Sequence, residues 1–200
     1  MTLLTRTNCV EEKIMRSFGS MGSVYKVTLI GEGGVGKTSI SVRYTEDRFD
    51  QQMKITIGVN FASKRIMVNG QPMTLMLWDL GGQPRFRDVI SDYFVGTKLA
   101  LAVYDATRYF SLERLPDWID RLRANAPDAD LLFVGNKVDE RTEGEGVSLQ
   151  EGQEFAKKYD AECVEVSAKA GQGVNEMFEL AAKILFAKYE SSGEPVASTV

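Results

Sequence analysis

Along the chain, short apolar or β-branched runs bounded by turn residues alternate with segments whose apolar positions recur at helical spacing. The runs predict six strands, at residues 24–30, 59–68, 73–79, 99–105, 131–136 and 162–166. Strands that alternate with helical segments are the signature of a parallel sheet covered on both faces, an α/β architecture. The second and third runs are separated by Asn69 and Gly70, a pair that fits the left-handed positions of a tight hairpin. One antiparallel edge strand in a mostly parallel six-stranded sheet follows, with about five flanking helices.

Helix limits come from caps and breakers. Ser148 followed by Glu151 reads as a capping box, and Val174, Met177, Phe178, Ala181 and Leu185 form one apolar stripe that should lie on the sheet. Pro116 interrupts a helical segment after Ser111, so that helix should kink or start later than its pattern suggests. Residues 1–22 read as a flexible N-terminal extension, 23–190 as one domain and 191–200 as a small, polar tail. Leu3, Val10, Ile14 and Phe18 fall loosely on one helical face of the extension, which fits either a docking helix or a disordered segment.

Two hundred residues, 44% hydrophobic and 26% charged, suit a single globular domain. A net charge of -4 and a pI near 5.1 argue against nucleic acid as a partner. Cys9 and Cys163 are far apart and lack metal-ligand spacing, so neither a disulfide framework nor a zinc site is expected, and a reducing, cytoplasmic setting is. No run is long enough to span a membrane, Thr2 stands where myristoylation needs glycine, and the C-terminal residues include no cysteine to prenylate. A monomer is expected, with any peripheral membrane contact made through a partner.

Four motifs carry chemistry. GEGGVGKTSI at 31–40 has the spacing of a phosphate-binding loop between a strand and a helix. Its glycines let the backbone turn N–H groups inward, so Gly33, Gly34, Val35, Gly36, Lys37, Thr38 and Ser39 are the expected contacts to a phosphate chain. Lys37 would reach the terminal phosphates and the Thr38 hydroxyl would ligate Mg²⁺. That loop alone leaves ATPases, kinases and GTPases open. NKVD at 136–139, after the fifth predicted strand, supplies the base: the Asp139 carboxylate can accept from guanine's ring N–H and exocyclic amine, whereas adenine would oppose it with an acceptor. Asn136 and Lys137 accompany it. SAK at 167–169 follows the last strand at the same edge, where Ser167, Lys169 and the Ala168 backbone N–H would flank the base and hold its carbonyl. In WDLGGQPRF at 78–86, Asp79 is placed to hold Mg²⁺ through water, Gly82 to approach the γ-phosphate and Gln83 to orient the attacking water.

With these motifs in this order, the chain resembles the small GTPases of the Ras superfamily over about residues 24–188, and its Rab branch most closely. The connecting text supports the branch: ITIGVNF at 55–61, Arg85-Phe86-Arg87 and VYDAT at 103–107. The resemblance implies a P-loop NTPase G domain that switches between GTP and GDP. Thr56 would close over Mg²⁺ and the γ-phosphate, and Phe49 would flank the guanine. Exchange factors, GTPase-activating proteins and effectors are the implied partners, in trafficking or signalling. It further implies that Phe61, Trp78 and Tyr93 form an aromatic effector surface, although aromatics on an apolar sheet also fit a core.

The chain departs from the branch at several points. Gly81 and Pro84 stand where Rab proteins usually have alanine and glutamate, the glycine pair being Arf-like. Pro84 removes an N–H and biases Gln83 toward extended angles, and Met53 stands where many relatives carry tyrosine. A GTPase catalysing with Lys37, Gly82 and Gln83 is the main expectation. The alternative is a hydrolysis-poor, GTP-dependent binding scaffold, and an ATP-dependent kinase is disfavoured by Asp139.

Overall fold

Successive residues of a strand face opposite sides of its sheet, and the two faces here bury different sets of side chains. The structure, a computed structural model, describes residues 22–82 and 91–190. Six strands, β1 (Ser23–Ile30), β2 (Val59–Val68), β3 (Gln71–Leu80), β4 (Leu99–Asp105), β5 (Asp130–Asn136) and β6 (Glu162–Val166), form one sheet in the order β2-β3-β1-β4-β5-β6. All neighbouring pairs are parallel except β2 with β3. The six expected runs match these strands to within two residues at either end. The β2–β3 turn places Asn69 and Gly70 at φ 49° and 77°, the left-handed pair that a twisted two-residue hairpin needs.

Five α-helices are described: α1 (Lys37–Glu46), α2 (Tyr109–Glu113), α3 (Leu115–Asn125), α4 (Leu149–Lys157) and α5 (Val174–Leu185). Alternation along β4 shows the layering. Leu99, Leu101 and Val103 pack with Tyr44 of α1 and Met177 and Phe178 of α5, while Ala100, Ala102 and Tyr104 pack with Trp118, Ile119 and Leu122 of α3. The central strands are buried on both sides, which explains why their sequences read as continuous apolar runs. Strand β2 at the sheet edge instead alternates between covered and exposed positions.

The local signals act as expected. Pro116 sits in the first turn of α3, where its missing N–H has no partner to lose, so the segment divides into α2 and α3. The Ser148 capping box forms, with the Glu151 N–H donating to Ser148 Oγ at 3.3 Å and the Ser148 N–H to Glu151 Oε2 at 2.8 Å. Residues 1–21 of the extension, Cys9 among them, and the tail lie outside the described residues.

Five strands run in the same direction, so the carboxyl ends of β1, β3, β4, β5 and β6 share one edge. The connection leaving β1 runs toward the β2 edge, whereas the one leaving β3 runs the other way past β1 to β4, so these two neighbours send their connections in opposite directions. Open α/β sheets place ligands in the crevice at such a point.

Candidate functional site

At that edge a cleft of about 510 Å³ opens between the β1–α1 loop and the loops after β5 and β6. Its walls include Gly33, Gly34, Gly36, Lys37, Thr38, Ser39, Phe49, Thr56, Gly82, Asn136, Lys137, Asp139, Ala168 and Lys169. Fourteen residues singled out by the sequence thus meet in one cleft. Val35, Asp79 and Ser167 stand behind its surface, fully or almost fully buried. Gln83 and Pro84 lie outside the described residues, as do Arg85, Phe86 and Arg87.

The β1–α1 loop is shaped by backbone freedom. Gly36 caps α1 at φ 97°, and a Cβ there would come within 2.2 Å of Asn136 Nδ2. Only glycine fits both constraints. Buried Lys37 turns back over the loop, donating to the carbonyls of Gly31 at 2.8 Å and Glu32 at 2.9 Å. Burial pushes its ammonium down to about 8, against the opposing pull of Asp79 and Glu32.

Oxygen atoms converge beside Lys37. Thr38 Oγ1 donates to Asp79 Oδ2 at 2.5 Å and lies 2.6 Å from Thr56 Oγ1. Asp79 is buried, its Oδ1 has no hydrogen-bond partner among the described residues, and burial pushes its carboxyl up despite Thr38 and Lys37. Two hydroxyls and a carboxylate with a spare buried oxygen form a hard donor set of the kind Mg²⁺ takes, so the residues fit that ion. Gly82 presses on the loop from β3: a Cβ at this position would lie 2.5 Å from the Gly33 nitrogen and the Glu32 carbonyl carbon.

The other end of the cleft is built from β5 and β6. Asn136 is a strut as well as a wall, with Nδ2 donating to the Val35 carbonyl at 2.9 Å and Oδ1 accepting the Ala168 N–H at 3.1 Å. The Ala168 N–H, expected to face a base, is therefore engaged by Asn136 in this structure. Asp139 accepts from Ser167 Oγ at 2.5 Å, and Lys169 Nζ donates to Glu140 at 3.0 Å, 3.8 Å from Asp139 Oδ2. Ser39 donates weakly to the Met53 sulfur at 3.7 Å across the cleft mouth.

Three supports escaped the sequence reading. Asp105, at the end of β4, accepts from Lys137 Nζ at 2.7 Å and Arg108 Nε at 2.9 Å, and from the N–H and hydroxyl of Thr107. Burial alone would push its carboxyl up, but the Lys137 and Thr107 hydrogen bonds prevail and hold it below the ordinary value. An acid directly after the apolar run of β4 was a usable signal. Arg141 pairs with Glu165 through both carboxylate oxygens and ties the loop after β5 to β6. Arg43 of α1 reaches the Ala168 and Lys169 carbonyls. Nothing local marks either arginine for this role, since the partners that make it a brace lie 24 to 126 residues away.

The aromatic set spans both descriptions the sequence allowed. Trp78 is 1% exposed and belongs to the interior, whereas Phe61, packed edge-on against it at 4.5 Å, is 43% exposed. Half-buried Tyr93 completes the cluster at 6.0 Å from Trp78.

A family model described as the Ras family matches residues 26–187. The chain is 37% identical over 174 residues to Ras-related protein SEC4 of Saccharomyces cerevisiae, covering 86% of this chain and 80% of that protein. Against Ras-related protein Rab-18-B of Danio rerio it is 39% identical over 163 residues, covering 80% and 78% respectively.

Proposed function

The chain belongs to the Ras family, close to its Rab branch, and on that premise we propose that the cleft at the carboxyl edge of the sheet is its guanine-nucleotide site. It is a small GTPase, a switch that hydrolyses GTP to GDP, and the hydrolysis-poor scaffold is not favoured. What supports the assignment of the site is one observation: the phosphate-type loop, the oxygen trio and the Asp139 loop line a single cleft.

In this reading the backbone N–H groups of Gly33 to Lys37, with Thr38 and Ser39, bind the phosphate chain at the N-terminus of α1, and Lys37 neutralises its terminal charge. Thr38, Thr56 and, through water, Asp79 would hold Mg²⁺, which when bound supplies charge neutralisation along the polyphosphate. Asp139 accepts from the guanine edge, while Phe49, Lys137 and the Ser167-Ala168-Lys169 loop enclose the base. Gln83 orients water for in-line attack, with the Gly82 N–H at the γ-phosphate. Departure of that phosphate releases Thr56 and Gly82, which is the switching event. No arginine is assigned to act in cis, so unassisted turnover should be on the order of 10⁻⁴ to 10⁻³ per second, as at Ras-type sites.

An activating protein, an exchange factor and effectors are the partners this cycle calls for, and the Rab-side relatives favour a role in trafficking. The working form is a monomer in the cytoplasm, and a partner would mediate any peripheral contact with a membrane. Among the described residues no helix is long and apolar enough to cross a membrane.

Competition between GDP and ADP for a fluorescent guanine nucleotide tests the assignment. GDP should displace it while ADP does not, and Asp139→Ala should lower GDP affinity about tenfold or more, because it removes a charged hydrogen-bond acceptor from the base. Equal competition by ADP would overturn it.

A further inference from the structure

Arg43 lies in the last turn of α1, the helix that begins at the phosphate end of the cleft. Its side chain crosses to the opposite end. Nε donates to the Ala168 carbonyl at 2.9 Å and Nη2 to the Lys169 carbonyl at 3.0 Å, while Nη1 reaches back to the Asp47 carbonyl at 3.1 Å. The side chain is 18% exposed: its bond to Ala168 is partly buried, those to Lys169 and Asp47 meet solvent, and the ion pair with Asp47, itself 98% exposed, adds little. All three guanidinium nitrogens are engaged, two of them on consecutive carbonyls of one loop. That planar fork is a geometry a lysine ammonium does not reproduce.

The loop it grips is otherwise held from its other side. The Ala168 N–H donates to Asn136, Ser167 Oγ to Asp139 and Lys169 Nζ to Glu140, while the Ala170 N–H donates to Ser167 Oγ within the loop. Arg43 is the contact that ties the loop's carbonyls to α1, and hence to the phosphate loop six residues upstream of Arg43, at Lys37. Helix α1 is itself fixed on α5 by Tyr44 stacked on Phe178 at 3.8 Å, so the guanidinium extends from a rigid support.

We propose that Arg43 is a positioning residue that locks the Ser167-Ala168-Lys169 loop in its base-enclosing position and so sets how long guanine nucleotide stays bound. The proposal rests on the cleft being the guanine-nucleotide site. It assigns the arginine to nucleotide retention and not to phosphoryl transfer, because its contacts lie at the base end. Without the fork the loop keeps its Asn136 and Ser167 bonds but loses its tether to α1, and the base can leave before the phosphates do.

Release of a ribose-labelled fluorescent GDP from the full chain, chased with excess GDP, is the test, with single-turnover hydrolysis of preloaded GTP measured alongside. Arg43→Ala should release the label about tenfold faster or more, since two charge-assisted hydrogen bonds are lost. Hydrolysis should move less than twofold, Arg43→Lys should fall between alanine and wild type, and Asp47→Ala should behave as wild type. If Arg43→Ala does not fold, Arg43→Lys decides: release at least threefold faster supports the fork, and an unchanged rate refutes it. Melting temperatures that fall while release stays at the wild-type rate would reduce Arg43 to a structural residue. A wild-type protein that retains no label would overturn the nucleotide reading, and this proposal with it.

Discussion

Asn136→Ala tests the strut that joins the two ends of the cleft. The side chain serves two buried backbone groups at once, the Val35 carbonyl at 2.9 Å and the Ala168 N–H at 3.1 Å. Val35 is fully buried and Ala168 is 2% exposed, so water does not readily replace the lost partner at either group. An unsatisfied buried donor or acceptor costs about 1–3 kcal/mol, so the two together should lower stability by about 2–6 kcal/mol. Gly36 sharpens the expectation: its missing Cβ leaves room for Asn136 Nδ2, and alanine at 136 would leave a void against that loop. The assay is urea unfolding of the GDP-loaded protein together with fluorescent GDP release. The variant should show a lower midpoint and, at about 1.4 kcal/mol per decade, release accelerated by at least tenfold. An unfolding free energy within about 0.5 kcal/mol of wild type, the range of an ordinary surface change, combined with unaltered release would refute the strut.

Gly82→Ala should leave GDP affinity within about threefold but slow single-turnover hydrolysis about tenfold or more, because the new Cβ would meet loop backbone at 2.5 Å and overpacking of this kind costs about 1–3 kcal/mol. Stopped assays on both nucleotides would show the split. For Asp105→Asn, the sign follows from its lowered carboxyl: the carboxylate contributes stability that is fully present above its unfolded value, near pH 4, and lost as pH falls through the folded value. Urea midpoints should therefore separate wild type from variant at pH 7 and converge at acid pH. Chelating Mg²⁺ with excess EDTA should speed GDP release about tenfold or more if Thr38, Thr56 and Asp79 hold the ion, and release unaffected by EDTA would contradict that donor set.

Legibility in the sequence followed the range of each interaction. Strand limits were readable because β4 and β5 are buried on both faces and must be apolar throughout, and the Asn69-Gly70 hairpin because its φ values admit few other residues. The cleft walls were readable where a motif sets several neighbours at fixed spacing, as at 31–39 and 136–139. Trp78 and Phe61 show the limit: both sit next to each other in the sheet, yet one is interior and the other exposed, because β2 is an edge strand with only one face covered. Arg43, Asp105 and Arg141 brace the site through partners that topology brings close. A single charged residue on a helix or loop carries no local mark of a partner 125 positions away, as for Arg43 and Ala168.

Turnover of GTP in this cleft is measured by single-turnover release of γ-phosphate from GTP-loaded protein in Mg²⁺, with Gln83→Leu beside the wild type. Release should be slow, on the order of 10⁻⁴ to 10⁻³ per second, and should fall in the variant. GTP that stays bound and intact in both, or release at the same rate in both, would contradict it.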